Sequence, residues 1–317
     1  FATAIIHFHS QSHVMDDVAI NYTLRQPRGI CGLITPWNFP LHLLTWKTAP
    51  ALACGNTVVA KPSEITPMTA YLLSTLCQEA ALPAGVFNII HGRGPKAGEA
   101  IVRHPKVTTI SFTGGTVTGA AIAKMASPMF KKHSLELGGK NPNIIFADAD
   151  MDEVVRESLR SSFFNQGQVC LAGSRVFVEK SVYSAFVERF VSAAKKLAVG
   201  DPLEPSTDQG ALVSKAQLEK VLYYIQLARD EGGHIRCGGG PPASLPPRCK
   251  NGYFVEPTVI TDLTVDCRVN REEIFGPVVT ITPFTTEEEV IGHANATEYG
   301  LSASVWTKDV GRALRLA

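Results

Sequence analysis

A thiol, a carboxylate and an amide in this sequence stand in settings where each could do chemistry. Cys170 closes the run Phe163-Phe164-Asn165-Gln166-Gly167-Gln168-Val169-Cys170, which reads as a helix end, a glycine turn and then the thiol. The thiolate is the nucleophilic form, so a reactive Cys needs exposure and a lowered pKa, neither of which is legible in sequence, and most lone cysteines are inert. What sets this one apart is Glu136 in Leu135-Glu136-Leu137-Gly138-Gly139-Lys140. A carboxylate hemmed by apolar residues and glycines is a candidate general base. The two residues are far enough apart that the fold has to bring them together. Asn38, in Pro36-Trp37-Asn38-Phe39-Pro40, is a neutral amide fixed between prolines. A rigid N–H donor suits an oxyanion hole, which points a preformed donor at developing negative charge. The same residues would also make a buried turn whose Asn satisfies its own backbone.

A second group of residues suits a nucleotide. Ile110 to Gly119 reads as a strand, a Gly114-Gly115 turn and a helix start, where backbone N–H groups and the helix dipole favour a phosphate. It is not Gly-x-Gly-x-x-Gly, and strand-Gly-Gly-helix turns also serve plain packing. Lys61 and Glu64, in Lys61-Pro62-Ser63-Glu64, lie just past a strand. There an ammonium and a carboxylate can reach a nucleotide ribose, and a carboxylate repels a 2′-phosphate, which favours NAD over NADP. A solvated ion pair on a loop fits the same residues. Glu272-Glu273-Ile274-Phe275-Gly276-Pro277 supplies a carboxylate and a ring before a Gly-Pro turn and says little alone.

The elements that must position these residues alternate. Thr57 to Ala60, Val86 to Ile90 and Val107 to Phe112 are β-rich, and each precedes a helical stretch: Met68 to Ala81, Pro95 to Arg103, Thr116 to Met125. Three such units imply right-handed crossovers and an α/β fold with an open, doubly wound parallel sheet. Thr66-Pro67 is expected to open the first helix as N-cap and first residue, and Gly85 to close its exit. A second α/β region is expected from Gly138, through Asn143 to Phe146, a helix Asp150 to Phe164, a strand Arg175 to Glu179 and a helix from Ser181. Gly238 to Pro247 reads as a surface loop. The chain therefore divides into two α/β regions, one at 1–137 that carries the nucleotide-suited residues and one at 138–317 that carries Cys170.

Composition excludes several classes. The 317 residues are 45% hydrophobic and 19% charged, ordinary for a packed protein, and a formal charge of +1 without a long basic run leaves no footprint for nucleic acid or an anionic membrane. No apolar run approaches the roughly 20 residues that span a bilayer. Seven scattered cysteines without a Cys-x-x-Cys pair argue against a disulfide framework and a zinc cluster, so a reducing, cytoplasmic setting and no metal are expected. The chain begins at Phe1 without a basic leader and ends at Ala317 inside a helical pattern, so both ends read as cut.

Together, Pro36-Trp37-Asn38, Lys61-Pro62-Ser63-Glu64, Phe112-Thr113-Gly114, Glu136-Leu137-Gly138-Gly139-Lys140, Gly167-Gln168-Val169-Cys170 and Glu273-Ile274-Phe275-Gly276-Pro277 resemble the aldehyde dehydrogenase superfamily, in its motif order and over nearly the whole chain. The resemblance implies an NAD-dependent oxidation of an aldehyde to the acid through a cysteine thiohemiacetal and thioester. It gives Cys170 the role of nucleophile, Glu136 that of base and Asn38 a place in the oxyanion hole. Lys61 and Glu64 would bind the adenosine ribose, Gly114 and Gly119 would lie at the cofactor turn, Glu273 would hold the nicotinamide ribose, and Phe275 would pack beside the nicotinamide. It also implies an early oligomerisation segment near 8–27 and a homo-oligomer in the intact enzyme, whose chains extend further at both ends.

Gly115 and Val117 depart from the family pattern, which often carries Ser and an acidic residue there. Cys170-Leu171 followed by Ser174-Arg175, with Leu44-Thr45-Trp46-Lys47 near Asn38, is most similar to the 2-aminomuconic semialdehyde dehydrogenase branch, some relatives of which act on retinal. A non-catalytic member keeping the fold is the rival reading, against which stand Cys170, Glu136 and Asn38. Transfer to coenzyme A is another, against which stands Glu136.

Overall fold

A computed structural model of the chain describes residues 2–317, which fall into two compact units, the first running to Leu137 and the second from Gly138. The first unit opens with a short 3-10 turn and a two-stranded antiparallel ribbon, β1 (Ser12–Met15) and β2 (Ala19–Tyr22), exposed along its length. It continues with β3 (Ile30–Ile34), α1 (Pro40–Ala53), β4 (Thr57–Lys61), α2 (Met68–Glu79), β5 (Phe87–Ile89), a π turn leading into α3 (Glu99–Arg103), β6 (Val107–Thr113), α4 (Thr116–Ala126) and β7 (Lys132–Glu136). Five of these strands form a wholly parallel sheet in the order β5-β4-β3-β6-β7.

Both faces of that sheet are covered, as a parallel sheet requires. Alternation along β3 sends Cys31 and Leu33 against Leu44 and Ala70 on one side, while Ile34 joins Ile101, Ile110 and Ile122 on the other. The sheet also contains β3 and β7, and α1 follows β3, none of which the alternating pattern from Asn56 to Ala126 reveals.

Two expected helix signals are corrected. The backbone turns into α2 at Pro67, not Thr66, and the Thr66 hydroxyl is buried without a hydrogen-bond partner. The left-handed residue after α2 is Ala81 (φ 55), while Gly85 (φ 82) turns the chain later, ahead of β5. A left-handed Ala is costly enough that sequence reasoning assigns the position to Gly.

The second unit runs β8 (Pro142–Ile145), α5 (Met151–Phe163), β9 (Arg175–Glu179), α6 (Tyr183–Ala194), α7 (Lys215–Asp230), β10 (His234–Cys237), β11 (Thr258–Thr261), α8 (Arg268–Arg271), β12 (Val278–Phe284), α9 (Glu287–Asn295), β13 (Ser304–Trp306) and α10 (Val310–Leu316). Its six-stranded sheet has the order β10-β11-β12-β9-β8-β13, parallel except for β10 at one edge. In β9, Val176 and Val178 pack with Phe186 and Phe190 of α6 on one face. Phe177 turns to Phe146, Phe284 and Val290 on the other.

Candidate active site

In the first unit the winding reverses between β3 and β6, and ligands of such sheets bind outside the carboxyl ends of the strands at that switch point. Register places the expected residues there: Ile34 pairs with Lys61 on one side and Phe112 on the other, and Thr113 pairs with Glu136. Asn38 lies between the end of β3 and Pro40, the first residue of α1. The Glu136 carbonyl accepts the Gly114 N–H at 3.0 Å, which fixes the glycine turn to the end of β7. A Cβ on Gly114 would stand 2.5 Å from the Phe112 ring.

Lys61 is buried, and its ammonium donates to the Glu64 carboxylate at 3.0 Å and the Pro62 carbonyl at 2.7 Å. Partial burial pushes the Glu64 carboxyl up. Hydrogen bonds from its own N–H, from Lys61 and from Gly94 outweigh this, so it lies below the usual carboxylate value. Gly119 is inside α4, and a Cβ there would strike Leu137, so it lets the helix lie against the end of the strand.

The edge fits a dinucleotide. The backbone is extended at Gly115, which provides no side-chain cap to α4, and a Cβ position there meets nothing within 4 Å. The N–H groups of an uncapped helix start suit a phosphate. The buried hydroxyls of Thr35 and Thr113, at the ends of adjacent strands, have no hydrogen-bond partner, an arrangement that costs free energy unless a ligand supplies one. Lys47, which the sequence marks only as part of a branch signature, is buried on α1 and donates to Ser111 Oγ at 2.9 Å. Burial lowers its pKa, and the Glu136 charge opposes this. A lysine inside an apolar helical stretch was the available signal.

In the second unit three loops meet. Asp150 caps α5 by accepting from the N–H groups of Asp152 and Glu153, and the helix runs to Phe163. The chain then passes through Asn165 (φ 51), Gln166 (φ 56) and Gly167 (φ 66), all left-handed. Gly167 is obligatory, since a Cβ there would collide with the Gly276 carbonyl. Gln168, buried, accepts the Val213 N–H at 3.1 Å and donates to the Asn165 carbonyl at 3.2 Å. Half-buried Cys170 follows, its carbonyl accepting the Asn141 amide at 2.7 Å. Asn141 in turn accepts the Ser302 N–H at 3.1 Å.

Glu273 reaches the third loop, accepting the Gly139 N–H at 2.9 Å, and a Cβ on Gly138 would lie 2.6 Å from its carboxylate. Phe275 is left-handed (φ 59), and Gln217 of α7 donates to its carbonyl at 2.6 Å and to that of Ile274 at 3.3 Å. Glu272 is held by the Tyr224 hydroxyl at 2.6 Å and Arg268 Nε at 2.7 Å. Gly138-Gly139, Cys170 and Glu273–Phe275 are thus brought together. Sequence reasoning found the three loops but not their anchors, Asn141, Gln168 and Gln217.

Lys140 is wholly buried. Burial is the main reason its pKa falls to about 7, Arg175 adds to the fall, and the Glu273 charge opposes it. Arg175 donates to the carbonyls of Lys140, His293 and Ala294 at 2.9, 2.9 and 2.8 Å, and burial lowers its pKa to about 10. Among the described residues no three His, Cys, Asp or Glu side chains group as a metal site, no disulfide forms, and no helix is long and apolar enough to cross a membrane.

Two α/β units thus make up the described chain, one ending its parallel strands on a dinucleotide-type edge and one gathering a cysteine turn with two glycine-bearing loops. The aldehyde dehydrogenase family model matches residues 1–317, and the chain belongs to that family. It is 53% identical to the 2-aminomuconic semialdehyde dehydrogenases of Homo sapiens and Bos taurus, over 100% of this chain and 66% of theirs. The chain thus spans about two thirds of the length of those relatives. It is 49% identical to retinaldehyde dehydrogenase 3 of Homo sapiens over 95% of this chain and 58% of that one. An aldehyde dehydrogenase of Burkholderia cenocepacia superposes with a TM-score of 0.96 at 44% identity, over 99% of this chain and 64% of that chain. The Bacillus cereus aldehyde dehydrogenase solved as an NAD+ complex superposes with a TM-score of 0.94 at 43% identity, over 98% and 62%.

Proposed function

We propose that the protein carrying this chain is an NAD-dependent aldehyde dehydrogenase releasing the free acid, with 2-aminomuconic semialdehyde as the first substrate to try and retinal as the second. The observation that carries the reading is the Cys170 turn, anchored through its own carbonyl by Asn141 while the neighbouring Gly139 N–H binds Glu273. Two successive left-handed residues other than glycine, Asn165 and Gln166, are a strained way to present an inert thiol, and such strain collects at functional sites.

In this reading the Cys170 thiolate adds to the aldehyde carbonyl, and the resulting oxyanion is held by the Asn38 amide and the Cys170 backbone N–H. NAD, when bound, supplies the acceptor for the hydride lost as the thiohemiacetal becomes a thioester. Glu136 takes a proton from the water that releases the acid. Lys61 and Glu64 hold the adenosine ribose, with Gly114 and Gly119 at the cofactor turn. Glu273 holds the nicotinamide ribose, and Phe275 packs beside the nicotinamide ring.

The exposed apolar residues of the β1–β2 ribbon, among them Val14, Val18, Ile20 and Tyr22, support a homo-oligomer built through residues 8–27. Seven cysteines without paired spacing support a cytoplasmic setting. The experiment is an aldehyde panel with the natural full-length protein, read as NADH absorbance. Turnover lost in Cys170→Ser with NAD affinity retained is the expected result. Wild-type inactivity across the panel, or a serine variant within a few-fold of wild type, overturns the reading.

A further inference from the structure

An open pocket of about 240 Å³ lies between α5 and the turn carrying Cys170. Val169 and Leu171, the two sequence neighbours of Cys170, form part of its wall. The opposite wall comes from one face of α5, where Glu157 and Arg160 stand one turn apart, and from Phe164, which caps the end of that helix. Phe164 and Leu171 are 57% and 55% exposed, large apolar side chains left at the rim of a concavity, as in small-molecule sites. The only fixed cation on the rim is Arg160, whose side chain is 75% exposed and whose one ion pair is a 3.4 Å contact to Glu157. Glu157 has a nearer partner, Arg156 at 3.0 Å, and that hydrogen bond leads the causes that hold its carboxyl low. Arg160 is therefore dispensable for folding and turned to an apolar-walled pocket beside the nucleophile.

We infer that Arg160 is a specificity-determining residue, selecting aldehydes that carry a carboxylate at the end remote from the reacting carbonyl. The assignment rests on the aldehyde-oxidation reading and deepens it. The apolar walls take the carbon chain, the guanidinium takes the carboxylate through charge-assisted hydrogen bonds, and Glu157 on the same rim opposes it. The two residues therefore act with opposite sign on one substrate class.

The test uses the natural full-length protein and two aldehydes of equal chain length, one ending in a carboxylate and one in a methyl ester, with kcat and KM read from NADH absorbance. In Arg160→Gln, kcat/KM for the carboxylate substrate falls about tenfold through KM, as for loss of one charge-assisted contact, while the ester changes less than twofold. In Glu157→Gln, kcat/KM rises for the carboxylate substrate and stays put for the ester. Equal changes on both substrates, or none on either, overturn the assignment while leaving aldehyde oxidation standing. A wild-type protein inactive on both overturns the activity and the assignment together.

Discussion

The Glu273 carboxylate accepts the Gly139 N–H at 2.9 Å, although the two residues are brought together from distant parts of the chain. Its other oxygen occupies the space that a side chain on Gly138 would need. The two glycines are thus the seat for Glu273, and their lack of Cβ atoms is what admits it.

Gly138→Ala should therefore displace Glu273 without unfolding the unit, since a carboxylate on a loop can shift where backbone cannot. With Glu273 holding a cofactor ribose, KM for NAD rises about tenfold and alkylation of Cys170 by iodoacetamide changes less than twofold. A KM for NAD equal to that of wild type would show that Glu273 has no part in holding the cofactor.

For Glu136→Gln, the expected outcome is a fast first turnover releasing about one equivalent of NADH per active site, then a stall. Losing a positioned general base costs on the order of 10² to 10⁴ in rate. The amide keeps size and shape, so packing is not the confounder. If Glu136 instead deprotonates Cys170, the burst itself slows and recovers as pH rises toward roughly 8.5, the ordinary thiol value. Stopped-flow absorbance across pH separates the two, and an unchanged steady state removes Glu136 from the mechanism.

Lys140 makes stability depend on pH in an unusual direction. In the folded protein its pKa is about 7 against an ordinary 10.5, so between these values the unfolded chain binds the additional proton. Stability then rises as pH climbs from 7 toward 10.5, and the destabilisation by the buried ammonium is fully present below 7. Lys140→Met removes the group, so wild type should melt lower than the variant near neutral pH, with the gap narrowing steadily above pH 7 and closing only near pH 10.5. A gap in Tm that is constant across that range would contradict a buried, shifted lysine.

Much of this architecture was legible because a parallel sheet leaves a strong trace. Strands such as Arg175–Glu179 read as apolar runs between turn residues, and Thr116–Ala126 follows its glycine turn as expected. The candidate residues Asn38, Glu136 and Cys170 stand out in the sequence for a different reason, since each sits where local sequence alone looks odd. The supports do not. Asn141, Gln168, Gln217 and Arg175 act across long sequence separations, and a buried polar side chain declares its partner only once the fold exists. Thr66 and Gly85 were misread because local propensity outranks nothing when neighbouring contacts set the backbone: Ala81 takes the left-handed turn.

Strand β13 pairs with β8, so the sheet of the second unit joins Asn143–Ile145 to Ser304–Trp306 across a long stretch of intervening chain. Asn143 accepts from both Ser304 Oγ and Trp306 Nε1 at 2.9 Å, and Asn141, the anchor of the Cys170 carbonyl, accepts from Ser302. On a ribosome, where residues emerge in order, the Cys170 turn is made long before the Ser302 N–H that braces Asn141. Closing so large a loop is entropically slow. The unit therefore spends its synthesis with an unbraced cysteine turn and an open sheet edge, a window in which chaperone contact or thiol oxidation can intervene and which shuts only when Ser302 to Trp306 arrive.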